Sequence, residues 1–261
     1  VRDLLGHPAV QGALAPFIAG LAAALVLSPV RLSGLAAACG FFTAVYLTGH
    51  LGLDKKLLLV SAAAAGAGAL CDLAFRPGRA AGVALGIASG IACFWIFLDT
   101  LGGMRAQRLV LYAVGIGVLV AATVSFAFIS HDEPPRAGAA GVGLGAASGV
   151  LAWMGGAKLL GLWGFGLAAG SAGFLVIAMM LRRPVVAGAS FTLSAGVAGA
   201  ALAVAVALQR GLAWRYAALL ALVPLAVRLP LPAAGAAGQT LVALVYALAA
   251  AGGVCALIGL R

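Results

Sequence analysis

Residues 185–208 read VVAGASFTLSAGVAGAALAVAVAL, 24 residues without a charge. A helix needs about 20 apolar residues to cross the hydrocarbon core of a bilayer. Backbone placed in lipid must satisfy its own N–H and C=O groups, which leaves a complete helix or a closed barrel. Barrel strands alternate apolar and polar residues over ~10 positions. This stretch is apolar on every side and rich in Ala and Leu, which favours helix.

Working outward, charges and prolines cut the rest of the chain into nine more runs of similar length. The ten runs lie at 9–28, 32–51, 57–75, 80–101, 109–130, 137–155, 158–181, 185–208, 213–229 and 234–260. The first continues too long, without a small-residue cleavage site, to read as a secretory leader. The most polar stretch, His131-Asp132-Glu133-Pro134-Pro135-Arg136, is a connection. The expected fold class is therefore all-α, a polytopic transmembrane bundle of about ten spans, in one integral membrane domain over 1–261 with no soluble domain.

Composition agrees. Of 261 residues, 64% are hydrophobic and 8% charged, against roughly 45–50% apolar and 25% charged in a soluble domain. An aqueous monomer would expose very large apolar patches, and a disordered chain would be polar. The net charge of +10 comes from 16 Lys and Arg against six acids. These cations stand singly or in pairs between apolar runs, so they read as topology signals and lipid head-group contacts, not as a nucleic-acid surface.

The loops after runs one, three, five, seven and nine read SPVRLSG, FRPGRAAG, EPPRAGAAG, LRRPVVAG and RLPLPAAG. Each joins Pro and Arg to a small-residue start, and proline suits the first turn of a helix. The pattern predicts five helical hairpins, turning at these loops. A sharper repeat lies at 80–90 (AAGVALGIASG) and 139–149 (AAGVGLGAASG), identical at nine of eleven positions. Gly82, Gly86, Gly90 and Gly141, Gly145, Gly149 each mark a groove for a close-packed helix, from the same chain, from another membrane subunit or from a second copy.

Orientation rests on a narrow count. The five Pro–Arg loops hold seven Lys and Arg; the four opposite loops also hold seven, and Arg2 and Arg261 make nine on that side. The positive-inside rule then places both termini in the cytoplasm of what would be a bacterial inner membrane.

Ionisable groups inside spans are costly and mark function. Asp72 lies near the end of run three, with Arg76 one turn on as an i,i+4 partner; it is also the candidate proton or cation site. Asp99 ends run four and is expected to pair with Arg105 or Arg108. In run nine, Pro224 should kink the helix, and Arg228 follows it. Broken helices build transporter sites, so Asp72, Asp99, Arg228 and Pro224 are the transport candidates. Ser190 and Ser194, one turn apart, with Gln239 and Thr240, are candidate polar lining. Trp95, Trp153, Trp163 and Trp214 fit an aromatic belt.

No catalytic residue, metal ligand set or cofactor motif is legible. Cys39, Cys71, Cys93 and Cys255 sit inside apolar runs without a CxxC pair, and no two histidines share a helix at ligand spacing. A non-enzymatic membrane protein is expected, a transporter-like permease for a small solute with proton coupling through Asp72. The alternative is a structural or assembly subunit of a larger membrane complex. Ten short helices without a soluble domain give a layout similar to the drug/metabolite transporter superfamily, a resemblance that implies a permease and carries no residue across.

Overall fold

The computed structural model describes residues 6–49, 55–75, 78–181, 185–210, 214–231 and 235–259. A π-helical turn (Val10–Leu14) leads into α1 (Ala15–Leu27), and a 3-10 turn (Ser33–Leu35) into α2 (Ala36–Leu47). Then follow α3 (Lys55–Ala74), α4 (Arg79–Leu101), α5 (Ala106–Phe128), α6 (Pro134–Met154), α7 (Lys158–Met180) and α8 (Gly188–Arg210). Two short pieces, α9 (Trp214–Leu219) and α10 (Leu222–Ala226), precede α11 (Ala236–Gly259).

The architecture is an all-α bundle in which eight helices are long and apolar enough to cross a membrane, among the described residues. This is consistent with a polytopic membrane fold. Two of the ten expected spans fall short. Ser33–Leu47 and Trp214–Ala226 have 10–17 residues each, at most about 26 Å of helix against a hydrocarbon core of ~30 Å. The ninth is interrupted for the expected reason, shifted one turn upstream. Pro224 has no N–H for the carbonyl of Leu220, four residues before it. That carbonyl accepts instead from Val223 N at 3.1 Å, and the helix breaks at Leu220–Ala221.

The core is α8. Every residue from 187 to 207 is buried, walled by α3, α5 and α6 with lesser contacts from α2 and α7. Its Ala, Gly and Ser side chains are small enough to let several helices approach at once, which is how packing is gained where lipid removes the hydrophobic contrast.

The glycine repeats pack as grooves, though not between the expected hairpins. Along α4, a Cβ on Gly82 would meet the Phe128 ring at 2.6 Å, on Gly86 Ser125 Oγ at 2.7 Å, and on Gly90 Gly117 O at 2.6 Å. All three contacts are to α5. Along α6, Gly141 faces Ser171 Oγ at 2.7 Å, Gly145 faces Gly164 O at 2.8 Å, and Gly149 faces Phe165 at 2.7 Å. All three of these contacts are to α7, and Gly141 also meets the Phe191 ring of α8 at 2.7 Å. Thus α4–α5 and α6–α7 are the tight hairpins, and the 59-residue repeat is a repeat of packing.

Helices on either side of the Pro–Arg loops touch little, α1–α2 excepted. Five hairpins turning at those loops are therefore not the packing units, because the grooved faces lie toward the helix that follows. Both glycine faces are filled from within the chain, which removes them as docking sites for other subunits or for a second copy.

Trp163 departs from the belt expectation as well. It is fully buried, its Nε1 donates to Thr48 Oγ1 at 3.0 Å, and Phe41 lies edge-on at 6.3 Å.

Candidate functional site

Polar side chains gather at the end of the bundle where α8 begins. A helix leaves its first N–H groups without partners, and Gly188-Ala189-Ser190 offers no Asp, Asn or Thr of its own as a cap. Asp72, from α3, supplies it. Asp72 Oδ1 accepts from Ala189 N at 2.7 Å and Oδ2 from Ser190 N at 2.8 Å. Negative charge at a helix N-terminus is favourable in itself. The expected partner of Asp72, Arg76, lies outside the described residues.

Gly188 makes the cap possible. Its φ is +67°, and a Cβ there would run into the Asp72 carboxylate. Gly34 and Gly68 close on the same turn: a Cβ on Gly68 would meet Ser190 Cα at 2.6 Å, and one on Gly34 would meet Phe191 N at 2.6 Å. Ser33 Oγ donates to Val186 O at 2.9 Å, and Gly188 N donates to His131 O at 3.2 Å.

His131 is buried beside this turn and stacked on Phe128 at 4.8 Å. Its Nδ1 lies 2.8 Å from Phe128 O and its Nε2 3.1 Å from Asp132 Oδ1. Both neighbours are oxygen acceptors. Next to it, Arg136 Nε lies 2.6 Å from Glu133 Oε2, an ion contact without hydrogen-bond alignment, while Arg136 Nη1 donates to Val227 O at 2.9 Å. Arg228 Nη1 lies 3.7 Å from Glu133 Oε1 and donates to Ile129 O at 3.4 Å. Arg228 thus ties α10 to the α5–α6 connection at the edge of the bundle.

Asp99 is on a different part of the structure and has a different partner from the one expected. Its Oδ2 is 2.5 Å from Lys56 Nζ, which also lies 5.0 Å from the Trp95 ring. Lys56 opens α3 where α4 ends, so it reaches Asp99 more directly than the arginines beyond the α4–α5 turn. The carboxylate is 77% exposed, and exposed pairs contribute little. Asp99→Asn should lower stability by no more than about 1 kcal/mol, read as thermal unfolding in detergent. A larger loss would mean that this pair holds α3 to α4.

The serines expected to line a pathway bond locally, Ser190 Oγ donating to Ala187 O at 3.5 Å, and Thr192 and Thr123 behave alike. Ser194 Oγ donates to Ser190 O at 2.5 Å, Thr192 Oγ1 to Gly188 O at 3.1 Å, and Thr123 Oγ1 to Leu119 O at 2.8 Å. This back-bonding satisfies a hydroxyl without a solute. Gln239 and Thr240 are on α11, which packs on α6 and makes no substantial contact with α8; they do not join Ser190 and Ser194. Pro224 is buried in α10.

One cavity was not announced by any motif. It has a volume of about 800 Å³ and lies between α5 and α9, lined by Arg108, Tyr112, Gly115, Val118, Trp214 and Arg215 among others. Leu111, Val114 and Val118 on its rim are 72%, 58% and 63% exposed, so its mouth is on the side of the bundle. A second cavity of about 320 Å³ lies across α5, against α4, and shares Val114 and Val118. The signal was Gly115-Ile116-Gly117, two glycines on α5. A Cβ on either would meet nothing within 4 Å. The space beside their missing Cβ atoms is open, although the Gly117 backbone packs against Gly90 of α4. No group of three or more His, Cys, Asp or Glu converges as a metal site among the described residues. Set against protein-family models, curated proteins and solved structures, the chain matches none.

Proposed function

We propose that the chain is a transporter-like permease that takes an amphipathic molecule from the lipid phase into the cavity between α5 and α9. The observation that supports this best is that cavity: about 800 Å³, open on the side of the bundle, apolar along its depth, and carrying Arg108 and Arg215. Ligand sites have this volume and this mixture of apolar wall and few polar groups. The broken helix α9–α10 forms one wall, as interrupted helices do in transporters.

The moving part would be the α4–α5 hairpin. Its glycine seam makes it a rigid unit, and it meets the core through α5 against α8, where Val124 faces Gly196. Rocking of this hairpin against the α1–α2, α3–α8 and α6–α7 pairs would open the cavity to either side, the general logic of alternating access. Asp72 caps α8 and does not line the cavity, so no proton coupling through it enters the proposal.

Reconstitution tests this. A permanently charged, fluorescent alkyl sulfonate and a polar sugar of similar size are trapped in liposomes with and without the protein. The protein should speed release of the sulfonate alone. Equal leakage of the sulfonate from both sets of liposomes would overturn the proposal.

A further inference from the structure

We propose that the molecule taken into this cavity is a two-chain phospholipid whose phosphate head group carries a net negative charge. The inference rests on the permease reading for the site and adds the substrate class. Its basis is the order of the lining residues along α5. From Arg108 to Ala122 the cavity follows α5 for about 21 Å at 1.5 Å per residue, more than half of a ~30 Å hydrocarbon core. Arg108 and Arg215 stand at one end. Tyr112 comes next along α5, its ring 5.5 Å from that of Trp214. Aliphatic Val118 and Ala122 line the far end. Charge, then amphipathic ring, then hydrocarbon is the order of a phospholipid from phosphate through ester to acyl chain.

The charge is unopposed. No acidic residue lines the cavity, and neither arginine pairs with a carboxylate among the described residues. Arg215 is positioned by its neighbour, with its guanidinium 5.0 Å from the Tyr216 ring and Nη2 donating to Tyr216 Oη at 3.2 Å. Its remaining N–H groups are available, and a guanidinium fork matches phosphate oxygens two at a time.

The second cavity explains two chains. It runs along the other side of the ridge made by Val114 and Val118 and is lined by Gly117, Gly90 and Ile91. One acyl chain in each groove would straddle α5. A Cβ on Gly115 or Gly117 would meet nothing within 4 Å, so the side chains these residues lack leave the grooves open for a molecule outside the chain. Ordinary boundary lipid would fill the same grooves without reading the head group, and that is the distinction to be tested.

The protein is placed in phosphatidylcholine nanodiscs, with brominated-acyl phosphatidylglycerol or brominated phosphatidylcholine added in steps. Quenching of Trp214 is taken as the difference between the wild type and Trp214→Phe. The glycerol lipid should reach half-quenching at a mole fraction at least roughly fivefold lower than the choline lipid, the scale of one basic contact to an anionic head group. Arg108→Gln with Arg215→Gln should abolish that preference, and Gly115→Leu should reduce quenching by both lipids. Equal quenching in the wild type would overturn the inference, as would a preference that survives the double substitution. Glycerol 3-phosphate in solution should leave quenching unchanged; its displacing the lipid would show a site for free phosphate and would also overturn it. Quenching with the stated preference but no solute movement in liposomes would retire the permease reading alone. Movement without the preference would retire this inference alone.

Discussion

Gly188→Ala should cost roughly 3 kcal/mol, a left-handed backbone penalty of about 1–2 kcal/mol plus the loss of charge-assisted hydrogen bonds. At +67° only glycine holds this φ without strain, and the added methyl would fall on the Asp72 carboxylate. The carboxylate must then leave Ala189 N and Ser190 N, and α8 begins with its first N–H groups buried and unpaired. Thermal unfolding in detergent should fall by about 10 °C, on the scale of 2–4 °C per kcal/mol for a chain of this size.

The partner of that change is Asp72→Ala, with an expected cost of about 2 kcal/mol. The two should not add, because each removes the same cap. Asp72→Asn keeps one acceptor and should recover about half of the loss. Additive losses would mean that Gly188→Ala leaves the Asp72 cap in place and acts only through its backbone.

Gly170→Leu should prevent recovery of folded protein. Three backbones cross at this residue. A Cβ on Gly170 would lie 2.6 Å from Ala36 O, one on Gly20 2.6 Å from Gly170 Cα, and one on Gly40 2.5 Å from Gly170 Cα. Every obstacle is main chain, so no rotamer change relieves it, and α1, α2 and α7 must separate. Overpacking that side chains can absorb costs about 1–3 kcal/mol; even Gly170→Ala should exceed that here. Gly115→Leu is the control of equal size, with open space around its Cβ. Size-exclusion profiles of the fluorescently tagged variants read the outcome. A monodisperse Gly170→Leu peak of wild-type height would contradict a three-helix crossing.

These positions show what the residues disclosed and what they hid. Run lengths placed all ten helical regions, since length and charge spacing are local properties. The burial of α8 was hidden, because a helix inside a bundle and a helix facing lipid both take apolar residues. Gly82, Gly86, Gly90 and their repeat announced close packing, yet spacing alone does not say which neighbour fills a groove. Gly20, Gly40 and Gly170 belong to three helices, and no periodicity on one helix links them.

Asp72 was visible as the acid of run three. Its role was not, because its partners are backbone groups 117 and 118 residues away. One clue was present: Ala187-Gly188-Ala189 is a helix start without a strong N-cap residue of its own, a vacancy that some other acceptor had to fill. Pro224 was read correctly as a helix breaker, and the break appears where its missing N–H leaves Leu220 O. The cavity escaped notice because Gly115-Ile116-Gly117 differs from a packing glycine only in what lies opposite.

The central claim is that a solute enters between α5 and α9, and Gly115→Leu tests it most directly. The added Cβ has nothing within 4 Å of it and the rest of the side chain projects into the cavity, so the variant should fold while the space for a solute is reduced. In liposomes it should release the fluorescent alkyl sulfonate at least about tenfold more slowly than the wild type, the effect of losing ~1.4 kcal/mol of interaction in the filled site. Release at the wild-type rate by the folded variant would contradict the claim.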